Sequence, residues 1–175
     1  MRKGLFVFVL SLAFCLFVSP VCSAAKGPEM RDGEIYFPEP DQTVSLSKLA
    51  FSFPPDCPKE ILNIRGKIFR GELTRAAGPR MTGAKNVTYL IPLGYSSDTK
   101  EMTVYFVWEK AYGGKPAQGK LQGLFDLENG SPLRPIGTPH ITQEHRLYFL
   151  KDGKLRINVG GGASGDYTTV GNLPQ

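Results

Sequence analysis

Residues 102–109, Met102-Thr103-Val104-Tyr105-Phe106-Val107-Trp108-Glu109, constrain the fold more than any other stretch. They are nearly continuous in β-branched and aromatic residues and contain no Gly or Pro. Such residues fit a pleated, buried surface. An apolar run this short, flanked by Ser96-Ser97-Asp98 and Gly113-Gly114, reads as a central strand rather than a helix. Met102, Val104, Phe106 and Trp108 fall on one face, Tyr105 and Val107 on the other. A strand apolar on both faces needs protein on both faces, so the rest of the chain is expected to cover it.

The first residues read as a secretory leader. Arg2 and Lys3 precede an apolar run over Leu5–Val18, and Cys22-Ser23-Ala24 offers small residues for cleavage after Ala24. The run is shorter than the ~20 apolar residues a membrane-spanning helix needs. No transmembrane segment is expected after the leader is removed, and the protein is expected in the periplasm or outside the cell. Subtracting 24 from 175 leaves 151 residues, enough for one domain with a sizeable core. The 21 Lys+Arg against 16 Asp+Glu fall to 19 against 16 without Arg2 and Lys3, a net of +3. That is far below the charge density of a dedicated nucleic-acid binder. Of the 3 cysteines, Cys15 and Cys22 leave with the leader, so Cys57 has no intramolecular partner. The domain must be held by its core rather than by disulfides, which fits a bacterial exported protein better than a stapled animal one.

Residues 25–33 read as a flexible arm, and Glu34–Phe37 as a short edge strand stopped by Pro38. Val44 and Leu46 share one parity and Leu49, Phe51 and Phe53 the other, which predicts a bulge or kink near Ser47-Lys48. Leu62, Ile64 and Ile68 alternate with Asn63, Arg65 and Lys67, as in a strand weakened at Gly66. Val87–Leu93 reads as a strand ending near Pro92, and Lys120–Leu127 as another. Ser131–Thr142, rich in Pro, reads as connection. For Arg146–Val159, a three-residue loop Lys151-Asp152-Gly153 with Gly153 left-handed pairs Leu147 with Ile157 and Phe149 with Leu155, which separates inside from outside cleanly. Asp166–Val170 reads as a last strand and residues 173–175 as a tail. No sustained 3.6-residue period occurs. Roughly eight short strands between Gly/Pro turns predict one all-β domain over 34–172, an antiparallel β-sandwich or small barrel.

The motifs that would carry chemistry are incomplete. Gly160-x-Gly162-x-x-Gly165 matches a dinucleotide fingerprint, but only ten residues follow, too few for the phosphate-binding helix and distal acid; a turn is expected. Cys57 with His140 or His145 has the order of a thiol hydrolase, yet Pro-Asp-Cys-Pro supplies no helix to lower the thiol pKa. His140, Glu144 and His145 lack a fourth metal ligand. Asp126, Glu128 and Asp166 could pair in space as a glycosidase acid and base. No catalytic residue, metal or cofactor is expected on these grounds. Trp108, in phase with Phe106, reads as core.

The functional lead is basic. From Lys59 to Lys85, seven cations (Lys59, Arg65, Lys67, Arg70, Arg75, Arg80 and Lys85) face only Glu60 and Glu72. Guanidinium clusters grip carboxylates and phosphates with paired hydrogen bonds. The tip Lys110-Ala111-Tyr112-Gly113-Gly114-Lys115 sets an aromatic between cations on a loop, where binding residues concentrate. Arg65, Lys67, Arg70, Arg75, Arg80, Lys85 and Tyr112 are the candidate contacts. The expected function is an exported, non-enzymatic binding domain for an envelope protein or anionic envelope polymer. The alternatives are an enzyme inhibitor or immunity protein, whose loop over 110–119 would plug an active site, and a small secreted hydrolase.

Overall fold

A computed structural model describes residues 27–75, 85–110, 115–138, 141, 143–160 and 162–174. Eight antiparallel strands close into a barrel: β4 (Lys67–Arg75), β5 (Lys85–Ser96), β6 (Glu101–Trp108), β7 (Ala117–Leu124), β8 (Ser131–Ile136), β9 (His145–Phe149), β10 (Leu155–Val159) and β11 (Ala163–Asn172). Each strand pairs with its sequence neighbour, and β11 returns to β4. A three-stranded sheet, β1 (Glu29–Arg31), β2 (Glu34–Phe37) and β3 (Gln42–Ser45), lies outside the barrel.

β6 organises both cores. Met102, Val104, Phe106 and Trp108 point into the barrel with Phe69, Leu90, Leu121, Leu147 and Tyr167. Tyr105 and Val107 point outward, where Ile35, Phe37 and Val44 of the small sheet cover them together with Tyr89 and Ile91. The barrel is therefore filled by side chains, as an eight-stranded barrel can be. Its uncovered outer faces carry charge, such as the Arg156–Asp166 pair joining β10 and β11.

The two ends of the barrel differ. At one, residues 53–66 form a stopper. Pro58 leads into a single helical turn, α1 (Lys59–Leu62), whose Ile61 buries with Ile64 and Cys57. Asp56 accepts a hydrogen bond from Ser97 in the β5–β6 turn. The Leu173 amide, just past β11, donates to the Gly66 carbonyl at 2.7 Å. Phe125 meets Phe149 and Tyr95 edge-on beneath it. At the other end, β4, β6, β8 and β10 stop and β5, β7, β9 and β11 start, so four connections share one rim.

The Lys151-Asp152-Gly153 hairpin has the expected register: Leu147 pairs with Ile157 and Phe149 with Leu155, with Gly153 at φ +74°. The phase change after β3 is a 3-10 turn, Leu46–Lys48. Other expectations are corrected. Glu34–Phe37 is the middle strand of the small sheet, and residues 29–31 of the expected arm form β1. The strand drawn through Leu62 and Ile64 begins only at Lys67, because the i, i+3 pair Ile61 and Ile64 turns inward to close the barrel while Leu62 stays exposed. β5 runs through Pro92 to Ser96. The β4 ladder ends at Phe69–Leu90, so Pro92 lies beyond it, and Ser52 bridges to Gly94 instead. The Pro-rich stretch at 131 contains β8, whose ladders are short and staggered: residues 134–136 pair with β7 and residues 131–133 with β9.

Candidate functional site

The fold divides the basic residues that are adjacent in sequence. Arg65 follows α1 at the stoppered end, exposed, with its guanidinium carbon 5.9 Å from the Phe53 ring centre. Lys67, paired with Asn172, starts β4 at the same end. Arg65 and Lys67 are thus not two positions on one strand face. Arg70 lies mid-strand on the outside and is already engaged. Its Nε and Nη2 donate to Glu39 at 2.5 and 2.6 Å, and the Tyr89 hydroxyl donates to the same carboxylate at 2.6 Å. Arg70, and more weakly Tyr89, hold the Glu39 carboxyl below its usual range against the opposing effect of burial. Glu72 lies 3.5 Å from Arg70 and 3.0 Å from the exposed Lys85 ammonium. Arg70 is therefore a clamp between barrel and outer sheet, whereas Lys85 reaches solvent.

At the rim opposite the stopper, the described chain breaks off at Arg75 and Lys110 and resumes at Lys85 and Lys115. Arg80, Tyr112 and His140 lie outside the described residues. The Asn86 side chain, next to Lys85, accepts from the Lys110 amide at 2.9 Å and donates to its carbonyl, fixing two of these positions together. Over the described rim residues, Arg75, Lys85, Lys110 and Lys115 stand against Glu109 and Glu144, a net of +2. The stoppered-end segments (53–67, 97–100, 125–130 and 150–154) carry six cations against six carboxylates and are neutral. Tertiary structure thus moves the excess charge to one rim.

Just below that rim, inside the barrel, are polar groups that sequence inspection missed. His145 is fully buried, and its ring centre lies 5.0 Å from that of Trp108. Burial pushes its imidazole down to about 4, so the ring is neutral near pH 7. The Gln143 backbone slightly favours the protonated ring, but neither ring nitrogen makes a hydrogen bond of normal geometry. The Trp108 indole N–H and the Thr138 hydroxyl are likewise buried and unpartnered. Trp108 is core, as expected, and packs on Phe106 at 4.6 Å. The only sequence signal for His145 was its phase with Leu147, which points it inward.

The other candidate constellations are not assembled. Cys57 is in the stopper, where burial raises its thiol pKa, and His145 is at the opposite end. Asp126 caps its own turn by accepting the Glu128 and Asn129 amides, while Asp166 is held by Arg156. Gly160 and Gly162 belong to the β10–β11 turn, and a strand follows rather than a helix. Among the described residues, no group of three His, Cys, Asp or Glu could hold a metal, and no helix is long and apolar enough to cross a membrane. A groove of about 530 Å³ lies on the outer face between Ala50, Gly94, Asp98, Thr103 and Lys120. No family model, curated protein or solved structure matches the chain.

Proposed function

We propose that this protein is an exported, non-enzymatic binding module that docks an anionic envelope polymer, or an acidic face of an envelope protein, on the barrel rim opposite the stopper. The reading rests on the asymmetry of the two ends: one is stoppered and neutral, the other gathers four connections and, over its described residues, a net of +2. Loops held on a rigid barrel are where binding residues concentrate, and a rim of one sign attracts an anionic partner and speeds encounter. Lys85 and Lys110 are exposed at this rim. Arg70 is not assigned to the contact, since Glu39 occupies it. Export rests on the leader at Met1–Ala24. A barrel apolar inside and charged outside suits an aqueous compartment, because charged groups on a lipid-facing barrel surface are costly.

The test compares two charge reversals in the full chain, expressed in its source cell and cross-linked there. Reversal of Lys85, Lys110 and Lys115 to Glu is expected to abolish the salt-sensitive capture of the partner. Reversal of Arg65 and Lys67 is expected to leave it intact. Capture that survives the rim reversal overturns the reading. The same material should begin at Ala25.

A further inference from the structure

The groove on the outer face is a second surface, separate from the docking rim. It encloses about 530 Å³, within the range of small-molecule sites. Strand register shows how it is built. Gly94, Thr103 and Gln122 lie abreast on β5, β6 and β7. Lys120 stands two residues closer to the rim on β7, and Asp98 lies in the β5–β6 turn at the stoppered end. The opposite wall is the segment that descends from the outer sheet to the stopper. Its Ser52 amide donates to the Leu93 carbonyl at 2.9 Å, and its Ser52 carbonyl accepts from the Tyr95 amide at 3.0 Å. A Cβ on Gly94 would lie 2.0 Å from that carbonyl oxygen, so the wall is seated directly on backbone.

Two opposite charges in this groove are unanswered. Among the described residues, neither Lys120 nor Asp98 forms an ion pair. Lys120 is half-buried, where a counter-ion is worth more than at a fully solvated position. Between the two charges, Gln122 Nε2 donates to Glu101 at 2.6 Å, which leaves the Gln122 carbonyl oxygen as an acceptor. The outward Thr103 hydroxyl has no hydrogen-bond partner among the described residues. The one aromatic residue of the lining, Tyr95, packs its ring into the barrel against Phe125, so no ring face is offered for stacking a sugar or a base.

We propose that this groove binds a short, extended peptide with both termini free, its carboxylate at Lys120 and its ammonium at Asp98. A cation and an anion at opposite ends of one groove select a zwitterion and fix its direction. About four strand residues, roughly 13 Å, separate the two backbone levels, and an extended tripeptide spans ~10 Å. The Thr103 hydroxyl and the Gln122 carbonyl oxygen lie between, where a peptide backbone presents both donors and acceptors.

The test titrates the full chain with trialanine, N-acetyl-trialanine and trialanine amide, using calorimetry and the backbone amide resonances of Gly94 and Thr103. Trialanine is expected to bind saturably, and capping either terminus to weaken binding several-fold. Lys120→Met should weaken trialanine several-fold and leave trialanine amide unchanged. Asp98→Asn should do the same for trialanine against the acetylated peptide. Circular dichroism would confirm that both variants keep the barrel. Absence of saturable binding overturns the proposal, as does equal binding of the three peptides. Galacturonate, a sugar acid with no ammonium, moving the same amides as strongly as trialanine would also overturn it. Reversal of Lys85, Lys110 and Lys115 should leave trialanine binding intact, and Lys120→Met should leave rim capture intact, so failure of one surface is distinguishable from failure of the other.

Discussion

His145 shows how one residue's surroundings set a property of the whole chain. Its folded pKa, about 4, is below the ordinary value near 6.5. As pH falls below 6.5 the unfolded chain takes up a proton that the folded chain refuses, so stability is complete above about pH 7 and is lost towards pH 4. The expected loss approaches about 3 kcal/mol. Glu39, Glu72 and Asp166 also have lowered pKa values, but their contribution is lost only below the ordinary carboxylate range, near pH 4. The window from pH 6.5 to 5 therefore belongs to His145. Urea denaturation across it should show falling stability in the wild type and a nearly flat profile in His145→Phe. A flat wild-type profile would show that the ring is protonated or solvated in the fold. Apart from its phase with Leu147, nothing in the residues around position 145 announces this burial. The local string, Gln-Glu-His-Arg, is polar, and only closure of the barrel puts the ring beside Trp108.

At the scale of elements, the strands legible in sequence were those whose pattern is local. The β9–β10 hairpin was readable because two-residue alternation and a left-handed glycine determine register together. β8 was not, because Pro132 and Pro135 remove two backbone donors and neighbouring strands supply the remaining pairing. Its seam also has no room for a side chain: a Cβ on Gly123 would lie 1.9 Å from the Pro132 carbonyl oxygen. Backbone cannot yield as a flexible side chain would, so Gly123→Ala must force β7 and β8 apart. A loss of about 3 kcal/mol or more is expected in chemical denaturation. Hydrogen exchange in that variant should speed most at residues 120–122 and 134–136. Gly123→Ala with wild-type stability would mean that the β7–β8 contact is looser than drawn. The helical turn at 59–62 was missed for a related reason. Four residues carry too little periodicity to be seen, and the barrel end that rewards Ile61 and Ile64 for turning inward is distant in sequence.

For the whole molecule, the question is how the outer sheet stays on the barrel. Apolar burial beneath Phe37 and Val44 supplies most of the attachment. The polar part is concentrated at Glu39, which answers Arg70 and Tyr89 at once. Glu39 and Arg70 are about three-quarters or more shielded from solvent, so their bond is worth more than a surface ion pair. Glu39→Ala should cost about 2 kcal/mol, with little salt dependence, and a double-mutant cycle with Arg70→Met should show a favourable coupling. Zero coupling would reduce the pair to an ordinary surface contact. The same clamp explains why a run of cations does not form one basic face: a mid-strand member is neutralised by a residue 31 positions earlier.

Sequence alone determined what depends on neighbours along the chain. It established the all-β class, the two-faced burial of residues 102–108, the register of one hairpin and the break after β3. Alternation and turn chemistry act over two to ten residues, so they are written locally. The tertiary structure alone decided that the strands close into a barrel with a separate sheet outside it. It also decided which end is stoppered, that Arg65 and Lys67 lie at the opposite end from Lys85, and that His145 meets Trp108. These depend on closing long loops and on which charges find partners across the barrel, and no pattern within a single segment encodes them.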